Sequence, residues 1–376
     1  MIDTGVVPTP GMDDRIETHA EIVVDHSTDV RPGDEVLVRG PPDAEDLMIE
    51  IARLCGERGA RLSSRMTSDR VDRAYKRALD PEDVDESAVS RAAAEAADVV
   101  IAIRANRNTY EGSDVPPEIS SRLAQANQGV RDAVLSSRWV GTQYPTAADA
   151  QAAEMSTDAY EAFVWEAINK DWTAVRDHQQ QLVEILDPAE TVHITSGDET
   201  DLTMSIAGNP AINDFGEKNL PGGEVYTAPI PGSVEGTVLF DMPLMIQGRE
   251  VRDVYLSFEG GEVVEYAAAK NEDVLAAVVE TDDGARRLGE LGIGMNREID
   301  RFTNNMLFDE KMGDTVHLAV GRSIEESVGD GNEANESAMH VDMIVDMSEN
   351  SSIAVDGAVI QRDGTFVFET DDEDGV

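Results

Sequence analysis

A chain of 376 residues is longer than one ordinary domain and can bury a sizeable core, so two domains of similar size are the first expectation. Its 76 acidic and 30 basic residues leave a formal charge of -46, and with no cluster of Lys and Arg neither a nucleic acid nor an anionic membrane is an expected partner. That charge repels itself in dilute buffer, while near molar salt the screening length falls to about 3 Å. Only Lys76, Lys170, Lys218, Lys270 and Lys311 stand beside the arginines, which points to a halophile's salt-rich cytoplasm, the plainer alternative being a generally acidic, solubilising surface.

The first residues, MIDTGVVPTPGMDDRIE, lack a basic region followed by an apolar run, and no apolar stretch reaches the roughly 18 residues of a membrane helix. A cytoplasmic protein is therefore expected. Next, DEVLVRG reads as a strand, residues 43 to 58 as a helix, ARLSSRM as a strand and ADVVIAIRA as a buried strand. This alternation predicts a Rossmann-like, largely parallel sheet. The turn GPPDAED has one glycine and two prolines where a dinucleotide site needs G-x-G-x-x-G, which argues against NAD binding and leaves a nucleotide-binding reading with the alternation alone. Cys55 falls in the amphipathic run DLMIEIARLCGERGA as a core residue, and one thiol forms no internal disulfide. Residues 147 to 186 read as a long helical stretch ending before Asp187-Pro188, which places a domain boundary at 188.

Beyond it come short strands: TVHITSG, LTMSIAG, GTVLFDM, VYLSFEGGEVVEY, TVHLAVG and HVDMIVDM, with one clear helix near 272 to 292. The expected architecture is α/β: an N-terminal Rossmann-like parallel-sheet domain (1–188), a C-terminal α+β metal-binding domain (189–368) and a solvated acidic tail (369–376).

Four segments of the second half hold metal-competent side chains. SAMHVDMIV puts His340 and Asp342 two apart, which in a strand aims both to one face about 6.5 to 7 Å apart along the chain, with Val341 and Met343 opposite. An imidazole and a carboxylate so placed can converge on a cation about 2 Å from each. The plain alternative is a surface His-Asp pair. In DTVHLAVG, His317 shares a face with Thr315 and Ala319 while Val316, Leu318 and Val320 take the core face; a satisfied core histidine is the alternative. In NLPGGEVYTAP, Glu224 follows a Pro-Gly-Gly turn that would aim its carboxylate into a cleft, unless it is merely solvated. In GARRLGELGIGMN, Glu290 sits in an apolar helix end and requires a partner, which is either a cation or Arg286 or Arg287. Together they offer enough oxygen and nitrogen for two divalent ions. His19, His26, His178 and His193 have no such company and read as structural or exposed.

NLPGGEVYTAP, GARRLGELGIGMN, NNMLFDEKMGDTVHLAVG and NESAMHVDMIVDM, in this order, resemble the M29 family of metallo-aminopeptidases, the aminopeptidase T and aminopeptidase S group. RWVGTQYPTAADAQ and the YEAFVWEAINKDW helix extend the resemblance through the first domain. It implies metal ligands at Glu224, Glu290, His317, His340 and Asp342, two divalent cations (Zn or Co, with Mn or Mg as further options), short peptides as substrates and a homodimer enclosing its active sites. It also implies a catalytic tyrosine seven residues after His317, where this chain has Ile324. The expected function is removal of N-terminal residues by water activated between two metals. Ile324 is the feature behind the alternative, a catalytically impaired homologue that keeps the ions as a binding or structural protein.

Overall fold

Buried Val36, Val38, Val99, Ile101 and Ile103 form the centre of a parallel sheet in the computed structural model, which describes residues 12–246 and 249–370. Its strands are β1 (Glu35–Gly40), β2 (Arg61–Met66), β3 (Val99–Arg104), β4 (Arg138–Gln143) and β8 (Asn219–Leu220), in the order β2-β1-β3-β4-β8 with every neighbouring pair parallel. The GPPDAED turn becomes a short 3-10 turn, Pro42–Ala44, leading into the helix Glu45–Glu57, which buries Leu47, Met48, Ile51, Leu54 and Cys55. Burial pushes the Cys55 thiol up to about 11, as befits a packing residue.

The predicted helical stretch of 147 to 186 is cut into three helices, Ala147–Ala152, Thr157–Ile168 and Trp172–Leu186. Each starts at a capping side chain: Thr146 accepts from the Asp149 amide, Ser156 from Ala159, and Asp171 from Thr173 and Ala174. The chain divides into two compact units after Lys170, with Gly216–Leu220 returning to the first. The last of the three helices therefore belongs to the second unit, where Leu182, Val183 and Leu186 join the core. Asp187-Pro188 ends a helix without ending a unit.

The second unit holds two antiparallel sheets. The larger has nine strands: β5 (Thr191–Ser196), β6 (Thr200–Ser205), β10 (Glu235–Phe240), β11 (Leu244–Ile246), β12 (Arg249–Glu259), β13 (Glu262–Lys270), β17 (Ser351–Val355), β18 (Ala358–Arg362) and β19 (Thr365–Phe366). Their order is β11-β12-β10-β6-β5-β17-β18-β19, with β13 paired to β12. The smaller runs β16 (His340–Asp346), β15 (Thr315–Gly321), β14 (Leu288–Gly294), β9 (Glu224–Thr227), β7 (Ile212–Asp214). The fold class is thus mixed α/β, parallel in the first unit and antiparallel in the second.

The sequence reading of 272 to 292 as one helix is corrected: the helix spans Glu272–Val279, and Leu288–Gly294 is the central strand of the smaller sheet. Glycines at 289, 292 and 294 weaken a helix and suit a strand approached closely on both faces. Arg287 accordingly pairs with Glu262 at 2.6 Å, not with Glu290. Glu369, first residue of the expected acidic tail, is held by Arg297 at 2.7 and 2.8 Å. Residues 371–376 of that tail, and residues 1–11 used in reading the N-terminus, lie outside the described residues. Among those described, no helix is long and apolar enough to cross a membrane.

Two predictions follow from charge and burial. With acids in such excess, the melting temperature should rise steadily from dilute buffer to multimolar KCl in differential scanning calorimetry, and an unchanged value would remove self-repulsion as a destabilising force. His19 is fully buried with its Nε2 2.8 Å from the Thr142 hydroxyl, and burial lowers its pKa from 6.5 to about 3. A proton taken up only on unfolding removes stability as pH falls from 6.5 toward 3, about 2 kcal/mol by pH 5. His19→Gln should flatten that part of the stability-pH curve.

Candidate metal centre

Pairing in the smaller sheet decides which side chains meet. One row runs Ile212, Tyr226, Gly292, His317, Ile344, and the next runs Asp214, Glu224, Gly294, Thr315, Asp346. Glu290 is paired with Ala319, and Ala319 with Asp342. Paired residues share a face, as do residues two apart along a strand. Glu224, Glu290, His317, His340 and Asp342 therefore all project from one face. The other carries Val225, Leu291, Ile293, Val316, Leu318, Val320, Met343 and Val345, all in the hydrophobic core.

The side chains meet. His317 Nε2 lies 3.2 Å from Glu290 Oε1 and 3.5 Å from Glu224 Oε2. His340 Nε2 lies 3.4 Å from Glu290 Oε2 and 3.3 Å from Asp342 Oδ1. Ligand atoms of Glu290, His340 and Asp342 all fall within 4.8 Å of one another. The His340 Nδ1–H donates to the Arg322 carbonyl at 2.8 Å, which orients the ring so that Nε2 faces the carboxylates. Gly292 makes room for His317, since a Cβ there would sit 1.9 Å from the ring Cε1. Gly223, with φ of 117°, ends the turn before Glu224 in a conformation that favours glycine.

Lys311, Glu310 and Asp214, which the sequence reading did not place at the site, complete the cluster. Lys311 is fully buried, with Nζ 2.9 Å from Glu224 Oε1, 2.5 Å from Glu310 Oε1 and 3.4 Å from Asp214 Oδ2. The signal that could have found it is a lysine in an arginine-dominated chain, in DEKMG just ahead of the His317 strand. Tyr226 shares the site face, but its hydroxyl donates to Glu326. Burial, with that bond, raises the Tyr226 pKa.

The electrostatics describe a pocket short of positive charge. Burial pushes the Glu224 carboxyl up to about 8 against the pull of Lys311 and His317. Burial opposes charge on the imidazoles too, yet the carboxylates outweigh it: Glu290, Glu224 and Asp342 bring His317 to about 10, and Asp342 and Glu290 bring His340 to about 9. Asp342, although buried, is held below its ordinary value by His340, His317 and Lys311. For Lys311, burial is again overcome, by Glu224, Glu310 and Asp214, and the pKa stands well above normal. Glu224 Oε2, Glu290 Oε2 and Asp342 Oδ1 are buried and accept no hydrogen bond. Buried polar atoms are ordinarily satisfied, so three such oxygens facing two imidazoles fit divalent cations of the kind that take mixed nitrogen and oxygen ligands.

Fold and donor set together are the anatomy of a metal-dependent hydrolase. A profile of the family described as "Thermophilic metalloprotease (M29)" matches residues 12–369, and the chain belongs to that family. Membership carries the use of divalent metal with it. The chain is 26% identical over 418 residues to Aminopeptidase 2 of Geobacillus stearothermophilus, covering 94% of this chain and 98% of that protein. It is 28% identical over 400 residues to Aminopeptidase T of Thermus aquaticus, covering 93% and 95%. Among solved structures, wild-type AmpT from Thermus thermophilus superposes with a TM-score of 0.83 at 25% identity, covering 94% of this chain and 99% of that one.

Gly292→Ala tests the packing. The new methyl must displace the His317 ring, which should lower stability by about 1 to 3 kcal/mol and reduce bound metal. Thermal unfolding and elemental analysis check both outcomes.

Proposed function

We propose that this protein is an aminopeptidase that removes N-terminal residues from short peptides, with Glu224, Glu290, His317, His340 and Asp342 holding two divalent cations, Zn or Co. The observation that carries the reading is the convergence of three buried carboxylate oxygens without hydrogen bonds on two imidazole Nε2 atoms. The names of the relatives support the reaction. Glu290 turns one oxygen toward each imidazole, so it would hold a cation together with either histidine. When bound, such cations supply Lewis acidity that lowers the pKa of a water toward neutrality and polarises a carbonyl. The chain's own residues supply orientation: the Arg322 carbonyl fixes the His340 ring, Gly292 lets the His317 ring lie against the sheet, and the apolar back face anchors the strands in the core. In the same reading the protein works in a salt-rich cytoplasm as a homodimer whose enclosed sites admit short peptides.

One residue favours a second reading. Ile324 ends the segment leading into the 3-10 turn Glu325–Ser327 and offers no hydroxyl, while the Tyr226 hydroxyl is committed to Glu326. Loss of one donor to a developing oxyanion typically costs about 100- to 1000-fold in rate, and a homologue that binds metal without turnover is the limit of that loss.

Purified protein in molar KCl, supplied with Co or Zn and assayed on aminoacyl-p-nitroanilides, separates the two readings. Turnover with bound metal supports the aminopeptidase, and bound metal without turnover supports the impaired homologue. Glu290→Ala and His340→Ala should each abolish metal content and activity. Full metal content in both variants would refute the ligand assignment.

A further inference from the structure

Lys311 is the one fully buried member of a set of five lysines in a chain that otherwise uses arginine, and it stands against the candidate ligand Glu224. An ammonium has three N–H donors, and here three carboxylates surround it: Glu224, Glu310 and Asp214. Glu224 and Glu310 each accept a hydrogen bond from Nζ, and Asp214 stands 3.4 Å away as an ion pair. Arginine could not replace it, because a planar fork does not serve three acceptors spread around a point.

Its partner atom on Glu224 is what matters. Lys311 takes Oε1, and the other oxygen, Oε2, is thereby turned toward His317 Nε2, where it accepts no hydrogen bond. The backbone supports the same arrangement from both sides. The Asn296 amide donates to the Lys311 carbonyl at 3.0 Å, while the Asn296 side chain donates to Gly222 O at 3.0 Å and the Met295 amide to Gly223 O at 2.8 Å. The end of β14 thus grips the residue that holds Glu224 and the turn that delivers it. Ahead of Lys311, the buried Asp309 carboxylate accepts from Thr303 N and Oγ1 and from Asn305 N, which closes the preceding loop.

We propose that Lys311 is a positioning residue that fixes the rotamer of Glu224, presenting Oε2 to a divalent cation and keeping Oε1 out of its reach. The inference rests on the metal-site reading above. Partners that orient a metal ligand typically change metal affinity by about 10- to 100-fold when removed.

The full-length protein, stripped with chelator and titrated with Co2+ in molar KCl, provides the test by calorimetry and by the visible d–d absorption of the bound ion. Lys311→Met should weaken Co2+ binding by about 10- to 100-fold and alter the absorption envelope, while kcat recovers toward the wild-type value at saturating Co2+. In a Glu224→Gln background, the same substitution should cost no further affinity, because its effect runs through that carboxylate. Lys311→Arg keeps the charge and changes the donor geometry, so it carries the same expectation if the Met variant does not fold. Unchanged affinity and spectrum in a folded variant overturn the proposal, as does a full additional loss in the Glu224→Gln background. If Glu290→Ala and His340→Ala also leave Co2+ binding intact, it is the metal-site reading that fails rather than the role of Lys311.

Discussion

Too many carboxylates for the available positive charge, held in a largely buried cluster, is the condition around which the smaller sheet is organised. Each carboxylate taken out of water is costly unless paired, and removing one partner of a buried pair is costlier than never burying it. Glu224, Glu290 and Asp342 share two imidazoles and one ammonium. Both histidines and the lysine are driven to hold protons, yet three carboxylate oxygens still lack hydrogen bonds. A divalent cation resolves both facts at once by displacing protons from the imidazoles and satisfying the oxygens. The site is therefore an electrostatic demand before it is a catalytic one.

Sheet geometry makes that demand sustainable. Antiparallel pairing places the five candidate ligands on one face and a row of core residues on the other, so the core anchors the strands while their front carries the charge. Neighbouring strands lie about 4.8 Å apart, a scale at which long side chains on four of them can reach toward a common centre. The centre also needs space. With glycine at 292, the imidazole from β15 lies where a side chain from β14 would otherwise stand.

Much of this could be read from the residues in order. The H-x-D spacing at 340 and 342, the alternation around His317 and the Pro-Gly-Gly turn before Glu224 are local features, and local features survive folding. Glu290 shows the limit. Leu288 and Leu291 stand three apart, as on a helix, because a bulge between Leu288 and Glu290 breaks the two-residue alternation of the strand. Lys311 shows another limit: its rarity in an arginine-dominated chain marks it, but it meets Glu224 across 87 positions of sequence, and no local pattern announces that partner. The capping residues Ser156 and Asp171, by contrast, stood in plain view within what read as one helical run.

The chain's excursion at Gly216–Leu220 bears on how the molecule can be taken apart. Three crossings join the two units, and the single strand of this excursion, β8, completes the parallel sheet beside β4 only four positions before Glu224 begins β9. No single cut yields both halves intact: severing after Lys170 strips the first of its terminal strand and burdens the second with an orphaned one. The strand that carries Glu224 takes its starting point from a segment stitched into the sheet of the other unit.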